Sequence, residues 1–162
     1  MIKNFDNKLG SVKKDTEKII EFEYGIPGFE NLRKFALLQP ESSFPIMWLV
    51  SLEDKQVAFP VILPQLIRSD YEIILPEDIS EYLQLEKPED AVVISILTIP
   101  QNKEDITINL AAPIIISLNN NKGIQLLIEN TEYKIRHYLK DEIERMTGIP
   151  DPVPFIEDEI VA

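Results

Sequence analysis

The sequence predicts an all-β, mainly antiparallel fold: a barrel-like domain with one short internal helix and a C-terminal helix and tail. Three observations carry this. Apolar residues come in short runs at strand period or strand length, punctuated by Pro, Gly, Asn and Ser. Runs follow one another without the strand–helix alternation of a doubly wound sheet. Helical spacing of apolar residues appears in just two places, near residues 76–83 and from Leu139 onward. The reading places the β-domain at residues 1–140 and a helical, acidic extension at 141–162.

Taken in order, Lys18 to Tyr24 sets Ile20, Phe22 and Tyr24 on one face and Glu21 and Glu23 on the other, as in a half-buried strand. "YGIPGFENL" (24–32) follows. It lacks the Gly-Lys-Ser/Thr ending of a phosphate loop and the third glycine of a dinucleotide fingerprint. Pro27 instead presets the first central position of a β-turn, and Gly28 supplies the positive φ that a type II turn needs next. Gly25, Pro27 and Gly28 are therefore read as a tight strand connection. Phe35–Gln39 and Ile46–Leu52 are further strands, separated by the loop "PESSFP". Pro60 inside the run Ala58–Leu63 demotes that run to an edge strand or a bulge, because proline has no N–H for a ladder.

"LPEDISEYLQL" (75–85) reads as a short amphipathic helix with Pro76 at its first position and Glu77 and Asp78 at the positive end of the helix dipole. Ala91–Ile99 is β-branched and apolar on both sides, a central strand covered on two faces. "ITINL" (106–110) alternates, and Ile114–Leu118 and Ile124–Glu129 flank "NNNKG", whose Asn and Gly residues suit a hairpin loop. Leu139, Ile143 and Met146 then recur at helical spacing until Gly148 and Pro150, which stop the helix. The proline- and acid-rich "DPVPFIEDEIVA" (151–162) is expected to form a mobile tail.

The chain of 162 residues is 44% hydrophobic and 27% charged, enough to bury a core. Sixteen Lys and Arg against 28 Asp and Glu leave a formal charge of −12. Such a surface repels nucleic acid, and it either attracts a basic protein or serves solubility alone. There is no cysteine, no signal-like apolar core and no apolar run long enough to span a bilayer, so the reading is cytoplasmic, with no membrane partner. No cofactor or metal is expected. His137 is the single histidine and is read as structural. The acid pairs Glu53/Asp54, Glu77/Asp78, Glu89/Asp90 and Glu104/Asp105 are sequence neighbours, which neither specify an acid/base dyad nor a calcium loop. Trp48 sits in an apolar strand and is read as core. Lys13 and Lys14, the only dense basic run, are answered by Asp15 and Glu17. Read from the residues, this is an acidic β-domain that binds rather than catalyses.

Three segments together resemble the flagellar assembly factor FliW family: "EFEYGIPGFENLRKFALL" (21–38), "FPIMWLVSLEDKQVAFPVI" (44–62) and residues 96–139, with Asn109-Leu-Ala-Ala-Pro113 and a closing Tyr133-x-x-Arg136-His137. Tyr138 stands where the family pattern usually has proline, and the extension from Leu139 lies beyond the shared core. The resemblance implies a non-enzymatic regulator that binds CsrA, a small basic homodimeric repressor of translation, and relieves repression of flagellin mRNA without competing for the RNA surface. It also implies binding to flagellin, in a partner exchange that frees the regulator when flagellin is exported.

For partner contact the expected residues are Phe29 and Glu30 of the turn, the Pro60 edge, and Glu77, Asp78 and Glu81. Asn109 and Pro113 are expected to set turns within the fold. Phe29 either staples the barrel end or stands at a partner surface. Two other readings stay open: a small-molecule-binding or catalytic β-barrel with an apolar, acid-lined pocket, and an acidic phosphate mimic that blocks an RNA groove directly.

Overall fold

The computed structural model describes the backbone of residues 2–7, 10–15, 18–129 and 132–147, and side chains over 18–129 and 132–146. A two-stranded hairpin of β1 (Ile2–Asn7) and β2 (Gly10–Asp15) comes first. The main sheet comprises β3 (Ile20–Glu21), β4 (Lys34–Leu38), β5 (Met47–Ser51), β6 (Ala58–Ile62), β7 (Ala91–Thr98), β8 (Thr107–Ile108), β9 (Ile114–Ser117), β10 (Gly123–Gln125) and β11 (His137–Tyr138). Two α-helices, α1 (Glu77–Tyr82) and α2 (Leu139–Thr147), complete the described elements.

The order is β10-β9-β7-β6-β5-β4-β3, with β8 paired to the far end of β7 and β11 to β8, all antiparallel. The two ends of this path meet through one parallel bridge, Glu21 with Lys122, where the Glu21 N–H donates to the Asn121 carbonyl at 2.9 Å. The sheet is barrel-like but is joined there by a bridge, not by a ladder.

Alternation along β5 explains the layering. All five of its residues are buried. Met47 and Leu49 face a core with Phe22, Phe35, Val61, Ile94 and Ile116. Trp48 and Val50 face a second core, where Tyr71, Leu97, Ile108, Leu139 and Ile143 gather. A strand covered on both faces takes apolar residues at successive positions, which Met47–Val50 supply, while the buried Ser51 hydroxyl accepts from the N–H groups of Glu53 and Asp54. Within the first core Phe22 lies edge-on to Phe35, ring centroids 5.2 Å apart, and packs where Gly123 has no side chain.

Several expectations are corrected. Tyr24 does not continue the inner face of a strand. Pairing stops at Glu21, the chain turns, and Tyr24 is 65% exposed. β6 is an inner strand between β5 and β7, not an edge. However, β7 pairs only with Val61 and Ile62, while Ala58–Pro60 pair with β5 alone; the ladder ends next to the residue that has no N–H to donate. "ITINL" does not alternate in burial, because Ile106, Thr107 and Ile108 are all covered. Pro76 caps α1 in extended geometry, with Glu77 as its first helical residue. The β1–β2 hairpin and β11 were not anticipated. Gly148, Pro150 and the tail 151–162 lie outside the described residues.

Candidate functional site

The turn at 24–32 is built from its own backbone. Gly25 takes φ +66° and Gly28 φ +90°. The Ile26 carbonyl accepts from the Phe29 N–H at 2.6 Å, spanning Pro27 and Gly28. Pro27 at the first central position and a left-handed Gly28 at the second make a type II turn. The Gly28 N–H donates to Glu30 Oε2 at 2.8 Å, so the Glu30 carboxylate also braces the turn. A Cβ on Gly25 would stand 2.5 Å from Glu30 Cα, whereas one on Gly28 would meet nothing within 4 Å. Phe29 is 38% exposed, and its ring lies edge-on to Phe59, 5.1 Å between centroids. The fold thus brings Phe29 beside the Pro60 stretch, half covered and half presented.

Glu77, Asp78 and Glu81 are exposed on α1. Its end is tied to the end of β9 and the loop that follows: the Leu83 carbonyl accepts from Ser117 Oγ at 2.6 Å, and the Gln84 carbonyl from Asn119 Nδ2 at 2.7 Å. Gln84 itself is left-handed at φ 55°. Tyr82 stacks against Tyr24 at 5.4 Å and receives Lys122 over its ring at 5.1 Å. Lys122 is paired with Glu23 at 2.6 Å, a hydrogen bond that raises the lysine's pKa. The Tyr24–Tyr82 pair thus links α1 to the edge of the 24–32 turn.

Elsewhere the chemistry-bearing side chains serve the backbone. Asn109 Oδ1 accepts from the N–H groups of Ala111 and Ala112 at 3.1 and 2.9 Å, and the Pro113 carbonyl accepts from Leu126. The N–H groups of Arg33 and Lys34 hold the Glu53 carboxyl below its usual range at 2.6 and 2.9 Å. The Glu86 N–H, then the Asn119 side chain and the Lys87 N–H, lower Asp90 similarly. Burial pushes the Tyr71 phenol far up, and its hydroxyl donates to the Leu110 carbonyl at 2.7 Å. Burial also lowers His137, against the opposing pull of Glu142. Its Nε2 accepts from the Lys134 N–H at 2.8 Å, while Nδ1 lies 3.7 Å from Glu142. Arg68, buried beneath α2, is 3.6 Å from the same carboxylate and stacks its guanidinium over Tyr133. Among the described residues no group of three His, Cys, Asp or Glu side chains converges to hold a metal.

Two clefts flank the extended segment that follows Arg68. One, of about 760 Å³, lies between that segment and the start of β7, with Leu63, Ile73, Leu75 and Val93 among its walls. The other, of about 780 Å³, lies between the segment and the stretch after β10, with Ile74, Leu127, Glu72 and Glu129 on its walls. Ile74 is 91% and Leu127 69% exposed. No local pattern in the sequence marks this second cleft. Its only signal was a pair of apolar runs, "IIL" and "LLI", each next to a glutamate, with no periodicity to say which residues face out.

By fold and site this is an acidic, barrel-like β-domain organised around open clefts and half-presented apolar side chains. A family profile described as FliW protein matches residues 4–139. The chain is 49% identical over 142 residues to the flagellar assembly factor FliW of Thermotoga maritima, an alignment covering 87% of this chain and 95% of that protein. It is 45% identical over 139 residues to that of Thermosipho africanus, covering 85% and 95%. A crystal structure of the flagellar assembly factor FliW superposes with a TM-score of 0.78 at 35% identity, covering 84% of this chain and 96% of that one. The chain belongs to the FliW family of flagellar assembly factors. No helix among the described residues is long and apolar enough to cross a membrane.

Proposed function

We propose that this protein is a non-enzymatic, cytoplasmic regulator of flagellar assembly. It binds the basic repressor dimer CsrA, antagonises its RNA binding without occupying the RNA surface, and exchanges that partner for unassembled flagellin. The observation that supports this reading most directly is the formal charge of −12 on a FliW-family β-domain. An acidic body held beside a basic RNA groove raises the cost of bringing in phosphate, so RNA is rejected while its own contacts remain free. The internal employment of His137, Asp90 and Glu53 also favours binding over catalysis.

Calorimetric titration of this protein into CsrA of the same organism, alone and saturated with a flagellin leader RNA, tests the reading. Binding in both cases, with RNA released from a ternary complex, is the expected result. Binding to free CsrA alone would favour direct mimicry of phosphate, and no binding would remove CsrA from the function. Titration with monomeric flagellin, then competition between the two proteins, tests the exchange.

A further inference from the structure

We infer that the cleft between residues 70–76 and 126–129 is a strand-docking groove for an extended segment of a basic protein partner, carrying Lys or Arg on either side of aliphatic residues. This rests on the proposed function in taking the partner to be basic; the groove itself is argued from backbone geometry.

β10 is the last strand of the sheet path. Its pairing with β9 sets Gln125 opposite Ile114. The same register continues past the strand, because the Leu126 N–H donates to the Pro113 carbonyl at 3.0 Å and the Ile128 N–H to the Ala111 carbonyl at 2.9 Å. Regular pairing ends there since Pro113 has no N–H to return. In an antiparallel pair, alternate residues turn their backbone groups inward and outward. Leu127 and Glu129 therefore present theirs on the outer edge, and among the described residues their N–H groups have no backbone acceptor. Across the cleft, the N–H groups of Glu72, Ile73, Ile74 and Leu75 also lack backbone acceptors. An open sheet edge is a template for a further strand, in which main-chain bonds supply affinity and side-chain positions supply selectivity.

The walls define the occupant. Ile74 and Leu127 offer aliphatic contact from opposite sides, Glu72 and Glu129 stand beside them, and among the described residues no Lys, Arg or His lines the cleft. A chain of alternating basic and aliphatic residues places its charges against the glutamates and its apolar side chains on Ile74 and Leu127. The chain's own residues 148–162 carry Asp151, Glu157, Asp158 and Glu159 and no basic residue, so their charge opposes this groove.

The test is hydrogen exchange and titration on the full chain with two probes: CsrA, and a blocked peptide of alternating Lys and Ile, with its Glu–Ile counterpart as control. Either basic probe should slow exchange at 72–75 and at Leu127 and Glu129. Glu72→Lys with Glu129→Lys should weaken binding by at least about tenfold, whereas the same charge change at Glu41 and Glu104 should weaken it by about threefold or less. Leu127→Pro, which deletes one outward N–H, should weaken it more than Leu127→Ala. If CsrA binds but protects other residues and ignores the Glu72/Glu129 reversal, the groove assignment is wrong and the regulatory reading stands. If CsrA does not bind, the regulatory reading fails and the Lys–Ile peptide decides the groove: protection at these amides upholds it, and none overturns it. Faster exchange at Leu127 and Glu129 on deleting 148–162 would assign the groove to the chain's own tail.

Discussion

At the scale of single residues, two glycines in one turn carry different constraints. Gly28→Ala should cost about 1–2 kcal/mol, the penalty of a left-handed alanine. Gly25→Ala should cost more, because its Cβ meets backbone at 2.5 Å and not empty space; chemical denaturation of the two variants gives the order. Phe29→Asp should keep the fold but lower stability by about 1 kcal/mol through loss of the edge-on contact with Phe59. A global collapse of that variant would make Phe29 core and remove it from partner contact. His137 gives a pH signature. Its folded pKa lies below the ordinary 6.5, so above that value the ring is neutral in both states and contributes no pH dependence. As pH falls through 6.5 the unfolded chain takes up a proton that the folded chain refuses, and stability declines. His137→Gln keeps an acceptor for the Lys134 N–H without titrating, so its melting temperature should fall less between about pH 7 and 5. The turn was legible because glycine and proline act on their own backbone; the covering of Phe29 was not, because Phe59 lies thirty residues away in sequence.

At the scale of elements, the joining of β3 to β10 depends on a residue absent in side chain. Gly123→Ala would place its Cβ 2.6 Å from the Phe22 ring, which is wholly buried. Overpacking of this kind costs about 1–3 kcal/mol. The expected readout is that loss in denaturation together with faster amide exchange at Ile20–Phe22 and Asn121–Gln125. Strands β4, β5, β6, β7 and β9 were legible because each is an apolar run bounded by turn residues. β11 was not, since His137 and Tyr138 carry no strand pattern and become a strand only by meeting Thr107 and Ile108. Likewise Pro60 announced a flaw in a ladder but not which flank it spoils. That depends on where β7 arrives.

At the scale of the whole molecule, net charge is the property with the longest reach. Raising ionic strength from about 0.05 to 0.5 M should slow association with a basic partner by about tenfold or more while changing dissociation less. Stopped-flow mixing at several salt concentrations separates the two rates. An unchanged association rate would mean that the acidic surface serves solubility alone. The acids proposed for contact are distributed: Glu30 braces a turn, Glu77, Asp78 and Glu81 stand on α1, and Glu72 and Glu129 flank a cleft that no local pattern marks.

The sequence by itself determined the β class, the place of α1 and α2, the type II turn and the sign of the molecule's field, because periodicity, backbone chemistry and charge are local or additive properties. Only the tertiary structure decided that β6 lies inside the sheet, that Tyr24 leans on Tyr82, and that the chain after β10 keeps an outward edge facing residues 72–75. Those are pairings between segments far apart in the chain. They follow from which apolar faces are buried together and where prolines interrupt the ladders, which only the folded arrangement specifies.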